Sequence, residues 1–264
     1  MARRRASATL RPMNRPERLA AIMERVAERG NVDVEDLTHD LDVSSATVRR
    51  DLQALHEQRL LERTHGGAVA IGGLYELPVR YRKSRRREDK LRIATAALAH
   101  VQDGMTIALT GGTTTTEVAR ALVRRDDLTI VTNAINIAAE LAVRSNVRIV
   151  VTGGVARSAS FELVGPLAEL VLDHVNVDIA FVGVDGISAR AGLTTHREIE
   201  AHTNQVMLER AGRVIAVADS TKLGAIALAR ICSCDELHGL ITSAGAATEE
   251  RDAIAALGVE VEVV

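Results

Sequence analysis

Val43-Ser44-Ser45-Ala46-Thr47-Val48-Arg49-Arg50-Asp51-Leu52 is the stretch on which the reading of this chain turns. Ser44 precedes a run with helical spacing, where its short hydroxyl suits an N-cap. Val48, Leu52 and Leu55 fall at i, i+4 and i+7, one apolar stripe turned to a core. Ser45, Thr47, Arg49 and Arg50 face away from that stripe. Their donors suit phosphates and base edges, and an Arg grips guanine with two parallel hydrogen bonds. Upstream, Val34, Leu37 and Leu41 share one face of a shorter helix, and Asp42-Val43 links it to Ser44. Helix, short turn and helix is the arrangement that sets a second helix into the DNA major groove. An isolated Arg pair reads as a solvated helix face; the pattern around this one favours DNA.

Working outward, Pro16 suits a first helical turn, and Leu19, Ile22, Met23 and Val26 give a helix ending at Gly30. Downstream, Leu60 to Thr64 reads as a strand, Gly66-Gly67 as its tight turn, and Ala68 to Ile71 as the returning strand of a wing. Arg63 and His65 lie where a wing rests on the DNA backbone, contacts that add position rather than sequence choice. The candidate DNA contacts are therefore Ser44, Ser45, Thr47, Arg49, Arg50, Arg63 and His65. The run from Arg18 through Ile22, Gly30, Leu37, Leu41, Val43-Ser44, Thr47 to Leu52, Leu55, Leu60-Leu61 and Arg63 to Ala68 resembles the DeoR family of bacterial transcriptional repressors. "RRDL" followed by "HGGA" carries that resemblance, which implies a winged helix-turn-helix over residues 15–71.

The totals agree with a two-part chain. At 264 residues it is long enough for two domains, and its core is aliphatic, with two Tyr, two Phe and no Trp. Residues 1–91 hold 19 Lys and Arg against 14 Asp and Glu, whereas residues 92–264 hold 14 against 21. A basic front half on an acidic back half fits a nucleic-acid module fused to something else. No run approaches the ~18 apolar residues of a membrane span. The arginines near the start precede no apolar segment, so a secretory signal is not expected. Cys232 and Cys234, two residues apart, make a poor disulfide and have no partner pair for a metal, so reduced thiols and a cytoplasmic protein are expected. Neither a metal nor a cofactor is expected.

Residues 1–14 carry four Arg and no acid, the pattern of a disordered basic tail. A linker is expected over 72–89, beginning at Gly72-Gly73. It includes the basic stretch Arg80, Arg82, Lys83, Arg85, Arg86 and Arg87, which reads as a solvated helix face running into Lys90, Ile93 and Ala94. From Thr106 short β-branched runs alternate with helical segments to the end of the chain, which predicts a mostly parallel α/β sheet covered on both faces over residues 90–264. Its ligand belongs beyond the carboxyl ends of the strands.

Loops at those ends carry small and polar residues. Gly111, Gly112, Thr113, Thr114 and Thr115 join a strand to a helix, where free N–H groups and a partial positive charge suit a phosphate. The ending of a Walker A loop is missing, so nucleotide hydrolysis is not implied. Asn133, Gly153-Gly154, Asp185-Gly186 with Gly192 to Thr195, and Asp219 to Gly224 supply the others, with Lys222 as a point charge for phosphate. Singly each reads as a turn; converging at one sheet edge they read as a site for a small polar anion.

This half, too, resembles the DeoR family, in Lys90 with Ile93-Ala94, "GGTTT", "VTN", Gly153-Gly154, Val164-Gly165, "FVGVDGI", "GLTT", Glu200 with Met207, and "DSTKLG". The resemblance implies an effector domain of the ribose-phosphate isomerase and CoA-transferase type that binds a phosphorylated sugar. Thr110 stands where the family usually has Asp, and Asn204 where it often has Lys. The expected protein is a repressor that binds double-stranded operator DNA and answers a small phosphorylated sugar, working as a dimer or tetramer without a membrane. The alternative is a sugar-phosphate isomerase with an appended DNA-binding domain, using Asp185, Glu198 or Glu200 as base and Lys222 as electrophile. An isomerase has no need of the first 70 residues.

Overall fold

Asn14 caps the first helix. Its side chain accepts the Glu17 N–H and Glu17 returns a bond to the Asn14 N–H, each at 3.0 Å, a reciprocal cap. The helix α1 (Arg15–Arg29) that follows is closed by Gly30 at φ 76°. This computed structural model describes residues 13–71, 77–82 and 85–264; most of the expected basic tail, Gly72-Gly73 and Lys83 lie outside the described residues. The chain divides after residue 84 into two compact units.

The first unit continues with β1 (Asn31–Asp33), α2 (Val34–Leu41), α3 (Ser45–Glu57), β2 (Glu62–Arg63), β3 (Gly67–Val69) and α4 (Val79–Arg82). Ile22, Met23, Leu37, Val48, Leu52, Leu55 and Leu61 form its core, so the apolar stripe read from residues 48, 52 and 55 is buried as expected. The wing differs from the expected hairpin. It is a three-stranded antiparallel sheet in the order β1-β3-β2. Gly67 belongs to β3 rather than to the turn, because β1 approaches so closely that a Cβ at Gly67 would overlap the Val32 carbonyl. A three-residue strand is too short to show the two-residue alternation that reveals strands in a sequence.

The second unit begins with α5 (Arg87–Ala97). The segment expected to be a linker over 72–89 thus holds α4 in the first unit and the start of α5 in the second. There follow β4 (Thr106–Leu109), α6 (Thr113–Leu122), β5 (Leu128–Thr132), α7 (Ile135–Leu141), β6 (Val147–Val151), β7 (Val155–Ala156), β8 (Leu163–Val164), α8 (Pro166–Leu172), β9 (Val177–Val182), β10 (Gly186–Ser188), β11 (Gly192–Thr195), α9 (Glu198–Glu209), β12 (Ala211–Ala218), β13 (Ala229–Cys232), β14 (Gly239–Thr242), α10 (Thr248–Ala255) and β15 (Glu260–Val263). Seven strands form one parallel sheet in the order β15-β14-β12-β9-β4-β5-β6. Ile93, Val118, Leu122 and Ile137 from α5, α6 and α7 pack with Ile107, Phe181 and Ile215 on one face. Leu172, Met207 and Ile254 from α8, α9 and α10 pack with Ala108, Val182 and Ala216 on the other. Two covered faces explain why β9 and β12 read as nearly unbroken apolar runs.

Gly192 to Thr195, expected to be a loop at the strand ends, is β11, the middle of a separate antiparallel sheet β10-β11-β13. Its polar residues disguised it. Thr194 is buried, yet its hydroxyl bonds the Gly186 carbonyl at 3.1 Å and accepts the Ala227 N–H at 2.9 Å. Cys232 and Cys234 are buried and unbridged, and burial pushes their thiols up to about 12 and about 11.

Asp51, three residues after Val48, sits within the apolar stripe, where Arg18 of α1 bonds its carboxylate. Removing the carboxylate strands a mostly buried guanidinium, a loss of about 3 kcal/mol. Asp51→Ala is expected to lower the urea midpoint of the first unit; an unchanged midpoint would show that the pair does not hold α1 on α3.

Candidate functional site

Ser44 caps α3 through a 3.3 Å bond from the Thr47 N–H, and the two hydroxyls lie 3.0 Å apart. Capping therefore engages Ser44 and Thr47, while Ser45, Arg49 and Arg50 remain exposed on the outer face. Arg50 Nε donates to the Ala46 carbonyl at 3.2 Å, which lays its stem along the helix. The wing is tied to the same helix, since Arg63 Nη1 donates to Gln53 Oε1 at 3.0 Å. Arg63 and His65 are also exposed. The first turn of α3 carries no acid, so its free N–H groups and arginines present one sign of potential to a polyanion.

In the second unit the sheet order sets the other site. From β4 the chain steps to β5 and β6 on one side, then crosses to β9, β12, β14 and β15 on the other. The crevice of such a sheet opens where the order reverses, between the carboxyl ends of β4 and β9. Gly111-Gly112 follows β4 and Gly183 follows β9 there. Thr110, buried and hydroxyl-bearing where a carboxylate is expected, accepts the Gly183 N–H at 3.0 Å and ties the two ends together.

Gly112, at φ 134°, precedes the first turn of α6, and the Thr115 and Thr116 hydroxyls both donate back to its carbonyl, at 3.1 and 2.6 Å. Thr115 is thus engaged within its own turn; backbone N–H groups at a helix start of this kind suit an anion. Asn133 follows β5, one strand away from Thr110. Gly153 and Gly154 follow β6, and Gly154 is close to Val164 and Ala168, where a Cβ would crowd both. Asp185 follows β9, and Gly186 opens β10 with its Cα so near the Ala225 carbonyl that a Cβ there would overlap it. At the end of β12, Asp219 accepts the Thr221 N–H at 3.0 Å, and the resulting turn sets Lys222 Nζ 3.8 Å from Asp185. His196 lies 3.9 Å from the same carboxylate.

The residue that sequence reading missed is acidic and buried. Glu162, the last residue of the loop that joins β7 to β8, accepts the Gly111 N–H at 3.0 Å and the Asn204 amide at 3.2 Å. Its carboxyl also bonds that of Glu200 on α9. Glu200 is held by Arg157 and lies 3.4 Å from the Thr195 hydroxyl, which donates to Asp185 at 3.0 Å. A continuous polar chain thereby runs from the Gly111 turn to Lys222. A single Glu in "SFELVG" gives no sequence signal, because only the hairpin carries it under the glycine turn. Among the described residues no group of His, Cys, Asp and Glu is arranged to hold a metal, and no helix is long and apolar enough to cross a membrane.

Burial, with the neighbouring Glu200 charge added, pushes the Glu162 carboxyl up from 4.5 to about 8. The folded chain therefore binds one proton more than the unfolded chain between those values, and its stability falls as pH rises through that window. Glu162→Gln removes this linkage. Its thermal midpoint is expected to fall less than that of the wild type between about pH 5 and pH 8; parallel curves would mean that Glu162 is ionised throughout.

Comparison with known proteins follows the same division. A profile described as "DeoR-like helix-turn-helix domain" matches residues 18–72, and one described as "DeoR C terminal sensor domain" matches residues 85–244. The chain is 35% identical over 246 residues to the HTH-type transcriptional regulator GlpR of Haloferax volcanii, covering 93% of this chain and 96% of that one. It is 32% identical over 232 residues to the glycerol-3-phosphate regulon repressor of Escherichia coli, covering 88% and 92%. Among solved structures, ribose 5-phosphate isomerase A of Methanocaldococcus jannaschii aligns with 52% of this chain and 54% of that one, at 22% identity and a TM-score of 0.39.

Proposed function

This chain belongs to the DeoR family of transcriptional regulators, and from that premise we propose that it represses a carbohydrate operon and is released by a phosphorylated sugar. The observation that carries the first half is the exposed Ser45, Arg49 and Arg50 face of a capped helix whose opposite face is buried core. Arg63 and His65 of the wing add phosphate contacts. One such head makes few base contacts, so two or four copies bind repeated or palindromic half-sites, gaining affinity through effective concentration. The regulator reading stands over the isomerase reading because the relatives that span nearly the whole chain are named as regulators. No membrane partner is involved, and the cytoplasm is the compartment in which an operator-binding protein works.

The effector half rests on the turn at Gly111-Gly112, the α6 N-terminus and Lys222, with Asn133, Gly153 and Asp185 around them. A relative named for glycerol-3-phosphate supports a phosphate ester as the ligand class. Operator affinity and effector affinity then change each other by the same factor, about 5–150-fold for a coupling of about 1–3 kcal/mol.

Arg49→Ala or Arg50→Ala is expected to cost about 1–3 kcal/mol and relax preference at one base pair if the residue reads guanine. A phosphate role instead weakens all sequences alike and lowers the salt slope by about one. Footprinting on the chain's own promoter distinguishes them, and an unchanged footprint for the double variant removes α3 as the reading helix. For the effector, Lys222→Ala is expected to blunt the loss of operator binding caused by phosphorylated pentoses and hexoses. Operator titrations across that panel measure it, and a wild-type response from the variant places the phosphate elsewhere.

A further inference from the structure

Asn133 is fully buried at the end of β5, and among the described residues nothing donates to its side-chain oxygen. The hydrogen bonds behind it explain why that atom is an oxygen. The Gly111 backbone N–H can only donate, and Glu162 Oε1 receives it at 3.0 Å. An oxygen that accepts a backbone N–H is the unprotonated one, so the 3.2 Å contact from Asn204 to the same atom runs through the Asn204 amide nitrogen. Asn204 then turns its own oxygen to Asn133, which fills it with its amide nitrogen at 3.0 Å. Each amide has one oxygen and one nitrogen end, so the polarity set at Gly111 is passed through Glu162 and Asn204 without a choice. Asn133 ends the relay as an acceptor.

We propose that Gly111, Glu162, Asn204 and Asn133 form a polarity relay that makes Asn133 Oδ1 the specificity-determining acceptor for a hydroxyl or amino donor on a phosphorylated carbohydrate. The inference rests on the effector reading given above. Asn133 touches the ligand; Glu162 and Asn204 are positioning residues that act through it. The relay begins at the turn assigned to the phosphate, and β4 and β5 are adjacent strands, about 5 Å apart. One ligand therefore reaches both ends, with its phosphate at Gly112 and a carbon-borne donor one strand away. A buried acceptor left without a donor penalises any ligand that fails to supply one. The hydroxyl and the amine share this chemistry, and paired probes separate them. Asn204 also acquires a purpose here, since a lysine at that position has donors but no oxygen with which to orient Asn133.

The test uses the full chain and isothermal titration with methyl phosphate, which has no donor on carbon, against glycerol 3-phosphate, ribose 5-phosphate, glucose 6-phosphate and glucosamine 6-phosphate. The readout is the ratio of the methyl phosphate Kd to the Kd of the tightest donor-bearing probe. Wild type is expected to favour that probe, and N133A and N204L to reduce the ratio by about tenfold. E162Q is expected to retain it, because the glutamine carbonyl still accepts from Gly111 and Asn204 while its amide stands in for the proton toward Glu200. Preference for glucosamine 6-phosphate over glucose 6-phosphate would assign the donor as an amine, and the reverse as a hydroxyl. Either preference supports the relay. Equal binding of all probes by wild type overturns it without any variant, as does an unchanged ratio in folded N133A and N204L. Binding of no probe, methyl phosphate included, overturns the effector reading itself and the relay with it.

Discussion

A glutamate carboxyl lies against a glycine at the centre of the second unit. Glu162 packs where a side chain on Gly111 would overlap it, and its oxygen satisfies the Gly111 N–H. A carboxyl taken out of water needs partners on every side, and the surrounding sequence supplies them. Asn204 fills one oxygen, Glu200 lies within hydrogen-bonding reach of the carboxyl, and Arg157 pairs with Glu200. These residues come from the β7–β8 hairpin and from α9, which are far apart in the chain. The hairpin, the glycine turn and α9 are thereby locked around one buried group, and the candidate effector site is the surface of that lock.

The DNA-reading unit uses the same device on a smaller scale. Asp51 belongs to the apolar stripe of α3 by its position, since it follows Val48 by three residues. Its charge is kept there by Arg18, with Arg15 at 3.6 Å from the outer side. The pair joins the first helix to the third and fixes how α3 presents its opposite face. In "RRDL" the two arginines and the aspartate therefore do different work. Arg49 and Arg50 point to solvent and Asp51 anchors the helix that carries them.

Much of this protein can be read from its residues in order. The capped helix at Ser44, the helix ending at Gly30, and the parallel strands at 106–109, 128–132 and 213–218 all follow from local rules. Period, capping and glycine placement act over a few residues, so a linear text holds them. The expected contacts Arg49, Arg50, Arg63 and His65 are exposed for the same reason, because helical and strand periods decide which residues turn outward.

Tertiary structure decided what depends on approach between distant segments. Gly67 and Gly186 read as turn glycines, yet each is required by a neighbouring strand that leaves no room for a Cβ. Gly192 to Thr195 reads as a polar loop and is a buried strand, because its hydroxyls find partners across a sheet that no local pattern announces. Glu162 had no sequence signature, since its role lies in which backbone N–H it meets. The sequence by itself determined the two-part architecture and the family, through patterns set by neighbours along the chain. Only the folded chain decided which polar groups are buried together, because hydrogen-bond polarity and desolvation are properties of neighbours in space.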